Sequence, residues 1–281
     1  MDSLVSTEWL SRNIDEPDLV VLDCRVHMEP NVSGGFSYQS GRADYEKGHI
    51  PSAGFADLLG DLSDSRHPGG FMLPPAEQFC AAMGALGVGD QTRVVLYDSF
   101  MSIWAARVWW KLKWVGFDRA AILDGGFNHW VAQERPLSTG PVDRPAQKLT
   151  LGLRPDLVAD EDEVKSATAD GKACLIDTLP ENHFSGEESL FDRPGHIPGA
   201  INLFAGALLD ETGRYRSDEA LSELVTGDRQ ERQITYCAAG VMASSNAFVM
   251  SRLGFKDVAV YMGSLREWTE DPDNPMETGT P

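Results

Sequence analysis

The residue best placed for chemistry is Cys237. It closes the apolar run Ile234-Thr235-Tyr236 and precedes Ala238, Ala239, Gly240, Val241, Met242 and Ala243. The β-branched run reads as a buried strand, and the small residues after it read as a tight loop. Gly240 is free to take the left-handed backbone conformation that such a loop needs. A helix is expected to begin near Ala243 to Ser245. A thiol at the carboxyl end of a parallel strand sits where α/β sheets bind ligands. Loop amides together with a helix N-terminus hold negative charge there. They favour the thiolate, which is the reactive nucleophile, and equally a terminal persulfide anion. The plain alternative is that Cys237 is a core cysteine, because cysteine is among the most buried residue types.

Three other cysteines are present. Cys24 and Cys174 sit in or beside apolar strands, and Cys80 falls in the helix-like run Phe79-Cys80-Ala81-Ala82-Met83. All three read as packing residues. There is no C-x-x-C pair and the six histidines are scattered, so no metal site, no cofactor and no disulfide framework is expected.

The elements that must position Cys237 occur twice. Val20-Val21-Leu22-Asp23 is matched by Cys174-Leu175-Ile176-Asp177. Gly48-His49-Ile50-Pro51 is matched by Gly195-His196-Ile197-Pro198. Val94-Val95-Leu96-Tyr97-Asp98 is matched by Ile234-Thr235-Tyr236-Cys237, and Trp130 by Trp268. Two long copies indicate a duplicated domain, not a solenoid of short repeats. Within each copy, short apolar strands alternate with stretches of helical periodicity. Trp104 to Leu112 and Ala243 to Leu253 each follow a strand directly. This order predicts an α/β fold, with a mainly parallel sheet flanked by helices on both faces, built twice. Domains are expected at 1–137 and 156–281. The stretch 138–155, with Gly140, Pro141, Pro145, Gly152 and Pro155, reads as the linker.

In the first copy, Asp98 stands where the second has Cys237. One half carries a nucleophile and the other cannot, so the first domain is expected to be non-catalytic. His49, His196, Asp23 and Asp177 occur in both halves and read as structural residues.

Composition narrows the partners. A net charge of −19 repels nucleic-acid phosphates and anionic lipid, so neither is an expected partner. No apolar run approaches the ~20 residues of a membrane helix. The start, Met1-Asp2-Ser3-Leu4, lacks a basic stretch followed by an apolar one, and a cytoplasmic protein is expected. The proline-containing acidic tail, Asp271 to Pro281, is expected either to be disordered or to cover the site.

Taken together, Asp177, Gly195-His196-Ile197-Pro198-Gly199-Ala200, Tyr236-Cys237 and Gly240-Val241, with the pseudo-copy ending in Asp98, resemble the tandem-domain rhodanese family. Leu123-Asp124-Gly125-Gly126-Phe127 with Trp130 resembles its first domain. The family includes thiosulfate and 3-mercaptopyruvate sulfurtransferases, and the resemblance covers nearly the whole chain. It implies two rhodanese-like domains, an inactive first and a catalytic second, with the site at their interface. It implies that Cys237 takes a sulfane sulfur from a small anionic donor as a persulfide. A thiol such as thioredoxin or a small thiol, or cyanide in an assay, then removes it.

The chain departs from the family at several positions. Thiosulfate enzymes have two basic residues after the cysteine, where this chain has Ala238 and Ala239. Mercaptopyruvate enzymes have Gly-Ser-Gly-Val-Thr, where Ala239 and Met242 replace both hydroxyl residues. The uncharged loop is nearer the second type, so a 3-mercaptopyruvate-like donor is favoured over thiosulfate. The family's Asp-Ser-Arg is Asp177-Thr178-Leu179 here, and a second family arginine aligns with His183. Phe71 stands where some relatives have a histidine before Met-Leu-Pro. His183, Arg193 and Arg42 remain as candidate substrate-binding residues. Histidine changes charge near neutrality, so a His183 contact would make donor binding pH-dependent. A phosphatase would need Cys-x5-Arg to grip its oxyanion, and the sixth residue after Cys237 is Ala243. The remaining alternative is a non-enzymatic rhodanese module for partner binding or redox sensing, which the missing arginines and hydroxyls favour and the retained Cys237 opposes.

Overall fold

The computed structural model describes residues 1–31, 35–64, 66 and 70–279, in two compact units. One comprises Met1–Glu29, Ser37–Arg154 and Glu211–Tyr215, and the other chiefly Pro155–Asp210 and the chain from Arg216 onward. The first half runs β1 (Leu4–Val5), α1 (Thr7–Asn13), β2 (Leu19–Asp23), β3 (Val26–Pro30), β4 (Phe36–Ser40), α2 (Arg42–Lys47) and β5 (Ala53–Phe55). It continues through α3 (Ala76–Ala85), β6 (Arg93–Tyr97), α4 (Ile103–Trp114), β7 (Ala120–Leu123) and α5 (Gly126–Ala132). The second half runs β8 (Val158–Ala159), α6 (Glu161–Asp170), β9 (Ala173–Asp177), α7 (Glu181–Phe184) and β10 (Ile201–Asn202). It ends with α8 (Asp218–Leu224), β11 (Arg232–Tyr236), α9 (Val241–Arg252), β12 (Asp257–Tyr261) and α10 (Ser264–Glu270).

The two main sheets have equivalent strand orders, β1-β7-β6-β2-β5 and β8-β12-β11-β9-β10. Every pairing in them is parallel. Parallel strands joined by helical crossovers are covered on both faces, which requires nearly continuous apolar runs. β2 meets that requirement, being buried at all five positions, and β11 is buried over its last four. Side-chain caps start several helices. Ser6 Oγ accepts the Trp9 N–H, and Asp160 accepts the Glu163 N–H, satisfying donors that the first helical turn leaves open. The core of the first unit joins Leu19, Val21, Val95, Tyr97, Ala121, Leu123 and Trp130, so strand-tip residues project from a rigid sheet.

Several boundaries differ from expectation. α9 begins at Val241, two residues earlier than the sequence suggested, because Gly240 itself makes the left-handed turn (φ 72°) and helical geometry resumes at once. The Pro- and Gly-rich stretch read as a linker runs along the first unit. Ser138 forms a bridge with His49, Gln147 N–H donates to Gly84 O (2.9 Å), and Thr150 N–H donates to Asp90 (2.7 Å). The tail is held against the second unit as far as Gly279. Glu277 bridges His196, and Gly279 N–H donates to Ser185 O at 2.8 Å. Thr280 and Pro281 lie outside the described residues. His49 and His196 each place Nδ1 on a backbone carbonyl, of Tyr45 and Phe184, and stack on those same rings. Among the described residues, no helix is long and apolar enough to cross a membrane.

Candidate active site

Cys237 follows β11 directly and is only 2% exposed. Its own backbone is anchored on both sides. The Cys237 N–H donates to Ser264 Oγ (3.2 Å), whose hydroxyl donates to Tyr261 O (2.7 Å). The Cys237 and Ala238 carbonyls accept the Leu265 and Arg266 N–H groups at 3.0 and 3.1 Å. Gly240 then turns the chain into the 12-residue α9, and Ser244 Oγ donates back to Gly240 O. The N-terminal end of that helix, the positive end of its dipole, lies three residues from the thiol.

The first unit shows how this loop design handles negative charge. Asp98, the counterpart of Cys237, is buried and its carboxylate accepts four backbone N–H groups. Phe100 and Ser102 donate to Oδ1, and Trp104 and Ala105 to Oδ2, at 2.8–3.2 Å. Burial pushes the Asp98 carboxyl up to about 7, against the pull of these four donors. A loop of this kind is therefore an anion cradle; one copy fills it with its own side chain and the other presents a sulfur atom.

A second internal difference lies at the end of the neighbouring strand. Asp23-Cys24-Arg25 and Asp177-Thr178-Leu179 make the same turn, with the N–H of Arg25 or Leu179 donating to the aspartate at 3.0 or 2.9 Å. Arg25 curls back onto Asp23 (2.6 Å) and Gly48 O (2.8 Å). Leu179 cannot do so. Asp177 is left buried with Tyr236 and the Leu179 N–H as its neighbours, and burial pushes its carboxyl up to about 7.

Leu179 instead lines a small cleft in the second unit, with room for little more than one water molecule (about 10 Å³). His183, Glu188, Leu190, Phe191 and Leu265 also line it. The cleft adjoins the Cys237 loop, since Leu265 is bonded to Cys237 O, and Thr178 N–H donates to Tyr236 O at 2.9 Å. His183 Nε2 faces Glu188 at 3.8 Å, and its buried Nδ1 has no hydrogen-bond partner among the described residues. Arg193 borders the same cleft, but its guanidinium donates to the carbonyls of Asp271 (2.9 Å) and Asn274. Arg42 belongs to the first unit, at the start of α2, with its guanidinium 4.6 Å from the Phe55 ring centre. The structure thus brings His183 and Arg193 to the cleft beside the Cys237 loop. Ser264, Leu265 and Phe191 were not singled out by motif reasoning. The one signal for Ser264 was its place in the repeat, where the first half has Gly126. Among the described residues, no group of three or more His, Cys, Asp or Glu is arranged to hold a metal ion.

Comparison with known proteins places these features in context. The family model described as "Rhodanese-like domain" matches residues 6–133 and 160–271. The chain is 35% identical to a probable 3-mercaptopyruvate sulfurtransferase of Pseudomonas aeruginosa, covering 98% of each chain. It is 32% identical to a putative thiosulfate sulfurtransferase of Mycolicibacterium smegmatis, covering 99% of each. A crystal structure of the 3-mercaptopyruvate enzyme of Escherichia coli superposes with a TM-score of 0.83 at 29% identity, over 94% of this chain and 99% of that one.

Proposed function

The chain belongs to the rhodanese-like domain family and is a sulfurtransferase, and on that premise we propose that Cys237 is the residue that carries the sulfur. The observation that carries this reading is the pair of twin loops. Asp98 holds its charge on four amides in one copy, and a thiol occupies the same strand tip in the other.

With a 3-mercaptopyruvate-like donor, the Cys237 thiolate attacks the donor's sulfur. A sulfur–sulfur bond forms and the carbon–sulfur bond breaks. The electron pair leaves on the carbon as an enolate, which takes the proton released from the donor thiol. Pyruvate departs and a Cys237 persulfide anion remains. Loop amides of Ala238 to Ala243 and the α9 N-terminus stabilise that anion as an oxyanion hole would. A thiol acceptor, either thioredoxin or a small thiol, attacks the outer sulfur and restores the Cys237 thiolate. Four free cysteines support a reducing, cytoplasmic setting in which such acceptors are abundant.

The uncharged Ala238-Ala239 pair supports a mercaptopyruvate-like monoanion over the thiosulfate dianion. His183 is the side chain that meets the donor's carboxylate, and Arg193 borders the same cleft while bracing the tail. Intact-protein mass spectrometry after incubation with 3-mercaptopyruvate or thiosulfate tests the assignment. Wild type is expected to gain one sulfur atom, lost again on adding cyanide or a thiol, and Cys237→Ser to gain none. A Cys237→Ser protein that still acquires exchangeable sulfur refutes it.

A further inference from the structure

We propose that Arg193 is a positioning residue for sulfur transfer: it fastens the end of α10, and α10 in turn aims the loop that carries Cys237. The proposal rests on Cys237 being the sulfur carrier and adds what holds that loop in its working geometry.

The first N–H groups of α10, those of Leu265 and Arg266, donate to the Cys237 and Ala238 carbonyls at 3.0 and 3.1 Å. These bonds fix the peptide planes of the loop, and with them the direction in which its own N–H groups point. Ser264, which opens α10, lies in the left-handed region at φ 54°. A residue other than glycine stays there only where the surrounding structure over-determines it. The first half has Gly126 at this place, at φ 56°, where the conformation costs little. α10 has seven residues and is too short to be stable by itself, so its far end must be held as well.

Arg193 holds it. The guanidinium donates to Asp271 O (2.9 Å), the first carbonyl beyond α10, and to Asn274 O. A cation there supplies a donor that the helix cannot, and it meets the negative end of the helix dipole. Asn274 is 2% exposed, and its side-chain amide donates back to Trp268 O of α10 (2.9 Å) and to Glu161 (2.7 Å). Trp268 Nε1 donates to Pro275 O (2.9 Å), so the tail folds back over the buried end of the helix.

The first half lacks this tie. Glu46 stands at the place of Arg193, two residues before the shared Gly-His-Ile-Pro. Its strand tip needs no such support, because the Asp98 carboxylate binds the amides of its own loop. Thiol sulfur is a weak acceptor, so the Cys237 loop has to be shaped from outside.

The test measures kcat and KM with 3-mercaptopyruvate, and the rate at which iodoacetamide alkylates Cys237, located by mass. Iodoacetamide is neutral and has no carboxylate, so its rate reports the loop and not donor binding. Arg193→Gln removes the charge, and Arg193→Lys keeps it on one nitrogen. Asn274→Ala breaks the amide's bonds to Trp268 and Glu161, outside the cleft. Arg193→Gln and Asn274→Ala are each expected to lower kcat by roughly 10- to 100-fold, the loss that a small displacement of a catalytic group brings, with KM within about threefold. Alkylation of Cys237 slows with kcat, and Arg193→Lys recovers part of both. An unchanged kcat in Arg193→Gln overturns the positioning role. A raised KM with unchanged kcat and alkylation also overturns it, because the guanidinium then acts on the donor itself. Either result leaves Cys237 as the carrier, since sulfur still appears on it by mass. No sulfur on wild-type Cys237 overturns both readings. If circular dichroism shows that Arg193→Gln does not fold, Arg193→Lys and Asn274→Ala decide by the same criteria.

Discussion

The Asp98→Asn substitution puts the anion-cradle argument to a quantitative test. The carboxylate of Asp98 receives two N–H groups on each oxygen. An asparagine of the same shape can accept on one side only, and its amide N–H₂ then faces two donors. Two buried N–H groups lose their acceptor, at about 1–3 kcal/mol each. The variant should therefore be less stable by about 2–6 kcal/mol at pH 8. A pH dependence follows from burial. The folded carboxyl is raised to about 7, whereas an unfolded aspartate titrates near ~3.9. For a raised acid the neutral form is favoured in the fold. Its stabilisation is fully present below pH ~4 and is lost as pH rises through ~7, at up to about 1.4 kcal/mol per pH unit. Wild type regains that stability as pH falls from 8 towards 5 and the asparagine variant does not, so the gap between them should widen on acidification. Urea unfolding followed by tryptophan fluorescence reads the relevant unit, because Trp268 is the only one of the seven tryptophans outside the first half. Comparing the two proteins at each pH cancels the titration of the many other acids. A gap that stays constant from pH 8 to pH 5 would show that the four amides hold Asp98 ionised throughout and would refute the burial argument. A gap below about 1 kcal/mol at pH 8 would refute the cradle itself.

Two further substitutions probe the catalytic loop. Gly240→Ala places a Cβ at φ 72°, which costs about 1–2 kcal/mol in a left-handed position; the sulfur-transfer kcat/KM should fall, and an unchanged kcat/KM with unchanged Tm would contradict the turn's role. Ser264→Ala deprives the buried Cys237 N–H of its acceptor, at about 1–3 kcal/mol; slower alkylation of Cys237 by iodoacetamide with the fold intact by circular dichroism is expected, and an unaltered rate would show that the loop does not depend on this bond.

Much of the architecture was legible in the residue order. Continuous β-branched runs can only be strands buried on both faces, and their alternation with helical periodicity leaves a parallel α/β sheet as the consistent arrangement. Because the pattern occurs twice, the duplication and the contrast between Asp98 and Cys237 could be read directly. The loss of charge after Cys237 and at Leu179 was also plain, since it is a matter of residue type. Helix α9 began earlier than expected because propensity does not report how quickly a glycine turn returns the backbone to helical geometry. The same limit applied to the Pro-rich stretch before Arg154, whose hydrogen bonds to the first unit depend on residues far away in sequence.

Side-chain commitments were decided only by the tertiary structure. Arg193 and His183 look alike in the sequence as cations near the site. In the fold, backbone carbonyls of the tail, about eighty residues further on, occupy the arginine, while the histidine keeps a buried nitrogen unpaired. Likewise, no motif says that Ser264 holds the Cys237 N–H, because that bond spans 27 residues. Sequence determines which chemical groups exist and which strand tip carries the thiol, through local periodicity and turn chemistry. Which of those groups remain available to a ligand depends on long-range hydrogen bonds, and these are settled only when distant segments pack together.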